Sequence, residues 1–135
     1  MNAVRSLVKR CADWTAPQWY CLAVAVLLVP RAGTTLATGA SFALPGDGWR
    51  SVFQLAVVAV VLFGIRGPTT AFGATVAVGI TYAVLTAMEL FNGHDLLGVI
   101  PVDTRDRFVH PLLAVAAFVC ALVAKRRSQR LLQPR

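Results

Sequence analysis

The chain has 135 residues, 57% of them hydrophobic and 14% charged, with a formal net charge of +7. A soluble domain of this size could not cover so much apolar surface, so composition excludes an ordinary water-soluble globule. The basic residues gather near the two ends (Arg5, Lys9 and Arg10, then Lys125, Arg126, Arg127, Arg130 and Arg135), which suits anionic lipid headgroups better than nucleic acid.

In chain order, residues 1–13 form a basic lead-in, and Trp14, Trp19 and Tyr20 mark an interfacial aromatic belt. No secretory leader is expected, because the apolar run after Trp14 is long enough to persist as a span. The first span is expected at residues 16–37, close to the ~20 residues needed to cross a bilayer. Pro30 and Arg31 interrupt it. The neutral, small residues that follow them predict a helix that kinks and continues to Ala37. Residues 42–49, FALPGDGW, read as a turn beside an interfacial Trp. The second span is expected at 49–65, with Arg50 snorkelling to the surface. Arg66-Gly67-Pro68 allows only a tight turn before the third span, 68–91. The fourth is expected at 108–124, stopping at Lys125-Arg126-Arg127 and leaving a basic tail at 125–135.

These elements define an all-α integral membrane four-helix bundle of one domain, made of two hairpins with outward loops. Nine of the 13 Lys and Arg lie in the termini or the Arg66 turn, and four (Arg31, Arg50, Arg105, Arg107) lie at the opposite ends of the spans. The positive-inside rule therefore predicts an inner-membrane protein with N- and C-termini in the cytoplasm. Pro45-x-Asp47 and Pro101-x-Asp103, 56 residues apart, superimpose the second hairpin on the first; a common loop string explains this as well as an internal repeat does.

Polar residues inside spans locate the candidate site. Thr75, Gly79, Tyr82, Thr86 and Glu89 share one narrow helical face, which is expected to turn toward protein. Gly73 and Ala77 offer a place for close helix approach. Arg31, Gln54, Thr86, Glu89 and His110 fall at similar depth and are expected to form a polar cluster in the outer leaflet. A charge at Arg31 costs roughly 2.5–3.5 kcal/mol on insertion scales, so it needs a partner, and Glu89 is the acid that a span brings to it. Such a cluster acts either as glue between helices or as a ligand, ion or proton site.

The stretch from Glu89 to His110 holds both histidines and four of the six acids. Glu89, His94, Asp95, Asp103, Asp106 and His110 are cation-coordinating groups, but their spacing matches no zinc signature, so no metal is expected. Asp106 fits the N-cap of the fourth helix. The three cysteines, Cys11, Cys21 and Cys120, show no pairing or C-x-x-C pattern. No catalytic signature is present, and histidines at the bundle mouth are poorly placed for haem, so no cofactor is expected.

The segment LLGVIPVDTRDRFVHPLLA carries a Leu-x-Gly-x-x-x-Val lead-in (Leu96, Gly98, Val102) and a histidine entering a helix (His110). It resembles a motif in a family of small bacterial four-helix membrane proteins of unassigned function. Asp103 and Arg107 stand where that family has Asn, and Ala114 where it has Gly. The resemblance implies four spans and transfers no activity; the Ala-, Val- and Arg-rich usage suggests a GC-rich bacterial genome. The expected role is accessory, with membrane lipid and a membrane-protein partner or a second copy as binding partners. A small ion-coupled transporter, or a membrane enzyme or cofactor binder, are the alternatives.

Overall fold

A computed structural model describes residues 13–92 and 95–132. Four helices carry the chain: α1 (Ala16–Ala37), α2 (Asp47–Gly64), α3 (Pro68–Asn92) and α4 (Asp106–Leu132). All four are long and apolar enough to cross a membrane. Between α3 and α4 lies a two-stranded antiparallel ribbon, β1 (Asp95–Leu96) and β2 (Ile100–Pro101), with Leu96 opposite Ile100.

α1 continues unbroken through Pro30, which leaves Arg31 within a helix rather than in a loop. The helix is capped by Thr15, whose backbone N–H donates to the Gln18 side chain at 3.0 Å, and Pro17 stands in the first turn, where it forfeits no helical hydrogen bond. α2 begins two residues before Trp49, at Asp47, whose carboxylate favours a helix start and accepts the Ser41 N–H at 2.6 Å. α4 runs to Leu132, beyond the Lys125–Arg127 run at which the apolar stretch ends. The charged residues mark the end of hydrocarbon-compatible sequence, while Lys, Arg and Gln remain good helix formers.

α1 packs on α2, and α3 on α4; α1 and α3 both reach across the bundle, so α2 and α4 occupy opposite sides. The core is thin and made of small residues: Cys21, Val24, Ala32, Val61, Ala71, Val78 and Ala117 are buried. Large apolar side chains point outward instead, among them Val26, Leu112, Val115 and Leu122. This inverts the distribution of a soluble protein and suits a hydrocarbon surround, in which helix association relies on close packing of small residues.

Close packing is visible at two glycines. A Cβ on Gly79 of α3 would stand 2.8 Å from the Ala117 Cβ of α4, and one on Gly64 would stand 2.7 Å from the Ala74 Cβ. The Gly73 and Ala77 face, expected to admit a helix, is exposed, and a Cβ on Gly73 would meet nothing within 4 Å. The buried face of α3 is the one bearing Thr75, Gly79 and Tyr82, with Thr86 partly exposed and Glu89 buried. Cys21 is buried and Cys120 partly so, and both are free thiols; Cys11 lies outside the described residues.

The two glycines of α3 should respond oppositely to the same change. Gly79→Ala is expected to destabilise by about 1–3 kcal/mol through overpacking against Ala117. Gly73→Ala should be neutral or stabilise by about 0.5–1 kcal/mol, the helix-propensity difference. Thermal unfolding of the two purified variants in one detergent measures the contrast.

Candidate functional site

At the end of the bundle formed by the start of α4 lies a compact charged assembly. It begins with the chain's entry into α4. The Asp103 carbonyl accepts the backbone N–H groups of Asp106 (2.9 Å) and Arg107 (3.4 Å), and the Asp106 carboxylate reaches back to the Asp103 N–H at 3.3 Å. The turn from Asp103 thus leads into α4, and the bond from the Asp103 N–H to the Asp106 carboxylate supplies one half of a capping-box pattern. The expectation that Asp106 is itself the N-cap is corrected: it is the first residue of α4, and its carboxylate lies in the bundle, where the side chain is only 3% exposed.

Two arginines from the other hairpin meet that carboxylate. Arg31 of α1 donates from Nη2 to Asp106 Oδ1 at 2.7 Å, and Arg50 of α2 donates from Nη1 to Oδ2 at 3.2 Å. Arg50 also donates to Asp103 Oδ2, and Arg31 lies 3.9 Å from the same oxygen. The result is a neutral quartet of two guanidinium and two carboxylate groups joining α1, α2 and α4. Arg50 does not snorkel outward as its position near the helix end suggested; inward carboxylates hold it.

Glu89 does not pair with Arg31. Its Oε1 pairs with His110 Nδ1 instead. The reason is topological: α3 and α4 form an antiparallel hairpin, so a residue near the end of α3 stands opposite one near the start of α4. Arg31, on α1, meets what the first turn of α4 presents. The Tyr82 ring lies against His110 with centroids 5.2 Å apart, and Phe53 of α2 meets Tyr82 edge-on at 6.2 Å. These rings separate the Glu89–His110 pair from the body of the core.

Of the five residues expected to cluster, Arg31 joins the quartet, while Glu89 and His110 form the adjoining pair. Gln54 is buried and lines the cavity between them. Thr86 bends back to its own helix, donating to the Tyr82 carbonyl at 2.7 Å, and joins neither group. The cavity, lined by Arg50, Gln54, Tyr82, Asp106 and His110 among others, measures about 20 Å³ over the positions open to the centre of a water-sized sphere. That admits a water molecule or two and nothing larger.

The ribbon roofs this cavity. Leu96 is buried beneath it, and the turn is closed by the Val99 N–H to the Leu96 carbonyl at 3.1 Å. Its two central residues, Leu97 and Gly98, both have positive φ, a geometry that suits glycine at the second position. Asp95, considered above as a cation ligand, accepts the Gly98 N–H at 2.9 Å. The Gly46 N–H donates to the Val99 carbonyl at 2.9 Å, tying the first loop to the second. Among the described residues no group of three or more His, Cys, Asp or Glu converges as a metal site, and His94 lies outside them.

Arg50, Asp103, Asp106 and Tyr82 are the site residues that sequence reasoning left out of the cluster. Charge matching was the available signal: two arginines near the ends of two spans require counter-charges at that end, and Asp103 and Asp106 lie one helical turn apart.

The architecture defines a class: a four-helix, hydrocarbon-compatible bundle closed at one end by a charged, loop-roofed cluster. Within that class, the chain belongs to the family described as domain of unknown function (DUF4383), whose model matches residues 29–123 and so contains every residue of the quartet and the adjoining pair. No curated protein and no solved structure matches the chain.

The two carboxylates of the quartet differ in burial, which sets their expected weight. Asp106→Ala leaves two half-buried arginines with only the exposed Asp103 to share, and should cost about 3 kcal/mol, the low end for breaking a buried pair. Asp103, 58% exposed, should cost about 1 kcal/mol or less when changed to Ala. A double-mutant cycle read by thermal unfolding in detergent should find strong coupling for Arg31 with Asp106 and additivity for Arg31 with Glu89.

Proposed function

We propose that this is a multi-pass protein of the inner (plasma) membrane with both termini in the cytoplasm. In this reading it serves as an accessory protein that binds another membrane protein, or a second copy of itself, through its apolar flanks. Four apolar helices and the nine-to-four distribution of Lys and Arg support the placement and orientation. The observation that carries the functional reading is closure of the polar cluster. Every fully buried side-chain nitrogen and oxygen among the described residues has a hydrogen-bond partner, and the cavity between the charged groups admits only water. A transport site needs room for its cargo and charged groups left free to meet it. Here the arginines and carboxylates spend their charge on one another, which fits a fastener between two hairpins. The outward faces, by contrast, are large and apolar; Leu112 is 66% exposed and Val115 60%.

Orientation is checked with a membrane-impermeant thiol reagent on intact cells. Cys11 should stay unmodified, while a cysteine replacing the exposed Leu97 in the ribbon turn should react; the reverse pattern inverts the topology. The accessory role is checked in two assays. Purified protein in sealed vesicles should pass protons and monovalent cations no faster than protein-free vesicles. Photo-crosslinkers at positions 112 and 115 should trap a defined polypeptide in native membranes. Flux that is abolished by Glu89→Gln would move the assignment to the ion-coupled alternative.

A further inference from the structure

The opposite end of the bundle carries a groove that the closed cluster does not explain. It lies where α1 and α3 begin and α4 runs on past its apolar stretch, and measures about 730 Å³ to the centres of water-sized spheres. Its walls divide by chemistry. Phe72 and Val123 supply apolar surface on the side toward the middle of the bundle, and Lys125, Arg127, Ser128 and Thr69 supply cations and hydroxyls around it. Asp13 is the acid in the wall. The groove therefore pairs a greasy floor with a net positive rim.

From this we infer that the groove binds the headgroup and upper acyl chain of an anionic phospholipid in the cytoplasmic leaflet. The inference rests on the membrane placement proposed above. Three further features fit this occupant. Two helices start at the groove, Ala16 and Pro68 being their first residues, so the positive ends of two helix dipoles face an anion there. Trp14 and Trp19, with ring centroids 5.3 Å apart, stand at the same end and mark a headgroup level. By composition the sequence ahead of Asp13 carries Arg5, Lys9 and Arg10 and no acid, so it has no charge complementary to a basic groove. A zwitterionic lipid would offer no net charge to the rim, and free phosphate would leave the apolar floor uncovered.

The test uses the full chain in detergent, titrated with phosphatidylglycerol, phosphatidylcholine or inorganic phosphate and read by native mass spectrometry. Phosphatidylglycerol should be retained in preference to the other two. Lys125→Ala with Arg127→Ala should weaken that retention about thirtyfold, as expected for two basic contacts to an anionic lipid. Arg126→Ala with Arg130→Ala removes the same charge from positions that do not line the groove, and should change it by threefold or less. Equal losses in the two double variants would reduce the effect to diffuse charge and overturn the site. Equal retention of phosphatidylcholine, or binding of phosphate alone, would also overturn it. Carbonate washing of native membranes distinguishes membrane placement from groove binding: protein released by the wash defeats the membrane placement, whereas protein retained in the pellet without lipid preference defeats the groove alone.

Discussion

The constraint on which the rest depends is a single carboxylate, Asp106, held in a nearly dry position between two guanidinium groups. Ionised side chains away from water are costly unless each is matched, and here the matching groups come from three of the four helices. Helix length and hydropathy make four rods; they do not say how the rods are rotated or at what height they stand. A small-residue core is permissive in both respects. Asp106 restricts that freedom, because Arg31 of α1 and Arg50 of α2 must both be brought to its two oxygens at once. Polar groups in such a setting add specificity more than stability, since well-packed apolar residues of equal volume would hold the helices about as well.

The neighbouring pair repeats the device between α3 and α4 on a smaller scale. Glu89 and His110 face each other near the ends of a hairpin, and aromatic rings of Tyr82 and Phe53 screen them from the aliphatic core. One polar group therefore joins the hairpins to each other and a second fixes the register within a hairpin. The ribbon between residues 95 and 101 and its backbone link to Gly46 then close the assembly from the loop side. The opposite end of the bundle is built differently, with an open groove in place of a plug, so the two ends have separate chemistry.

Much of the fold was legible because hydrophobic length is a strong signal. The continuation of α1 through Pro30 followed from the small neutral residues after Arg31, and the buried stripe on α3 followed from helical spacing. The pairings inside the cluster were not legible. Arg31 was matched with Glu89 because both lie inside spans at comparable depth, but depth does not reveal which helix a face addresses. The true partner, Asp106, sat just outside the expected fourth span and read as a surface cap. It belongs to the bundle because α4 starts two residues earlier than hydropathy suggested, carrying the carboxylate inward with it. Gly73 failed for a related reason: small residues permit close approach on any face, and only the structure identifies Gly79 and Gly64 as the faces used.

The order in which the chain leaves the ribosome gives the quartet a further meaning. Arg31 precedes Asp106 by 75 residues and Arg50 precedes it by 56, so the first hairpin is complete well before its counter-charge exists. On the proposed topology, that hairpin must wait in the bilayer with two cations held toward the far headgroups, or shielded by an insertion factor. Arrival of α4 relieves both arginines at once. A truncated chain ending after α3 would be left carrying a recognisable flaw, two unpaired charges at the membrane's outer edge, which is the kind of feature by which membrane quality control distinguishes an orphan from a finished protein.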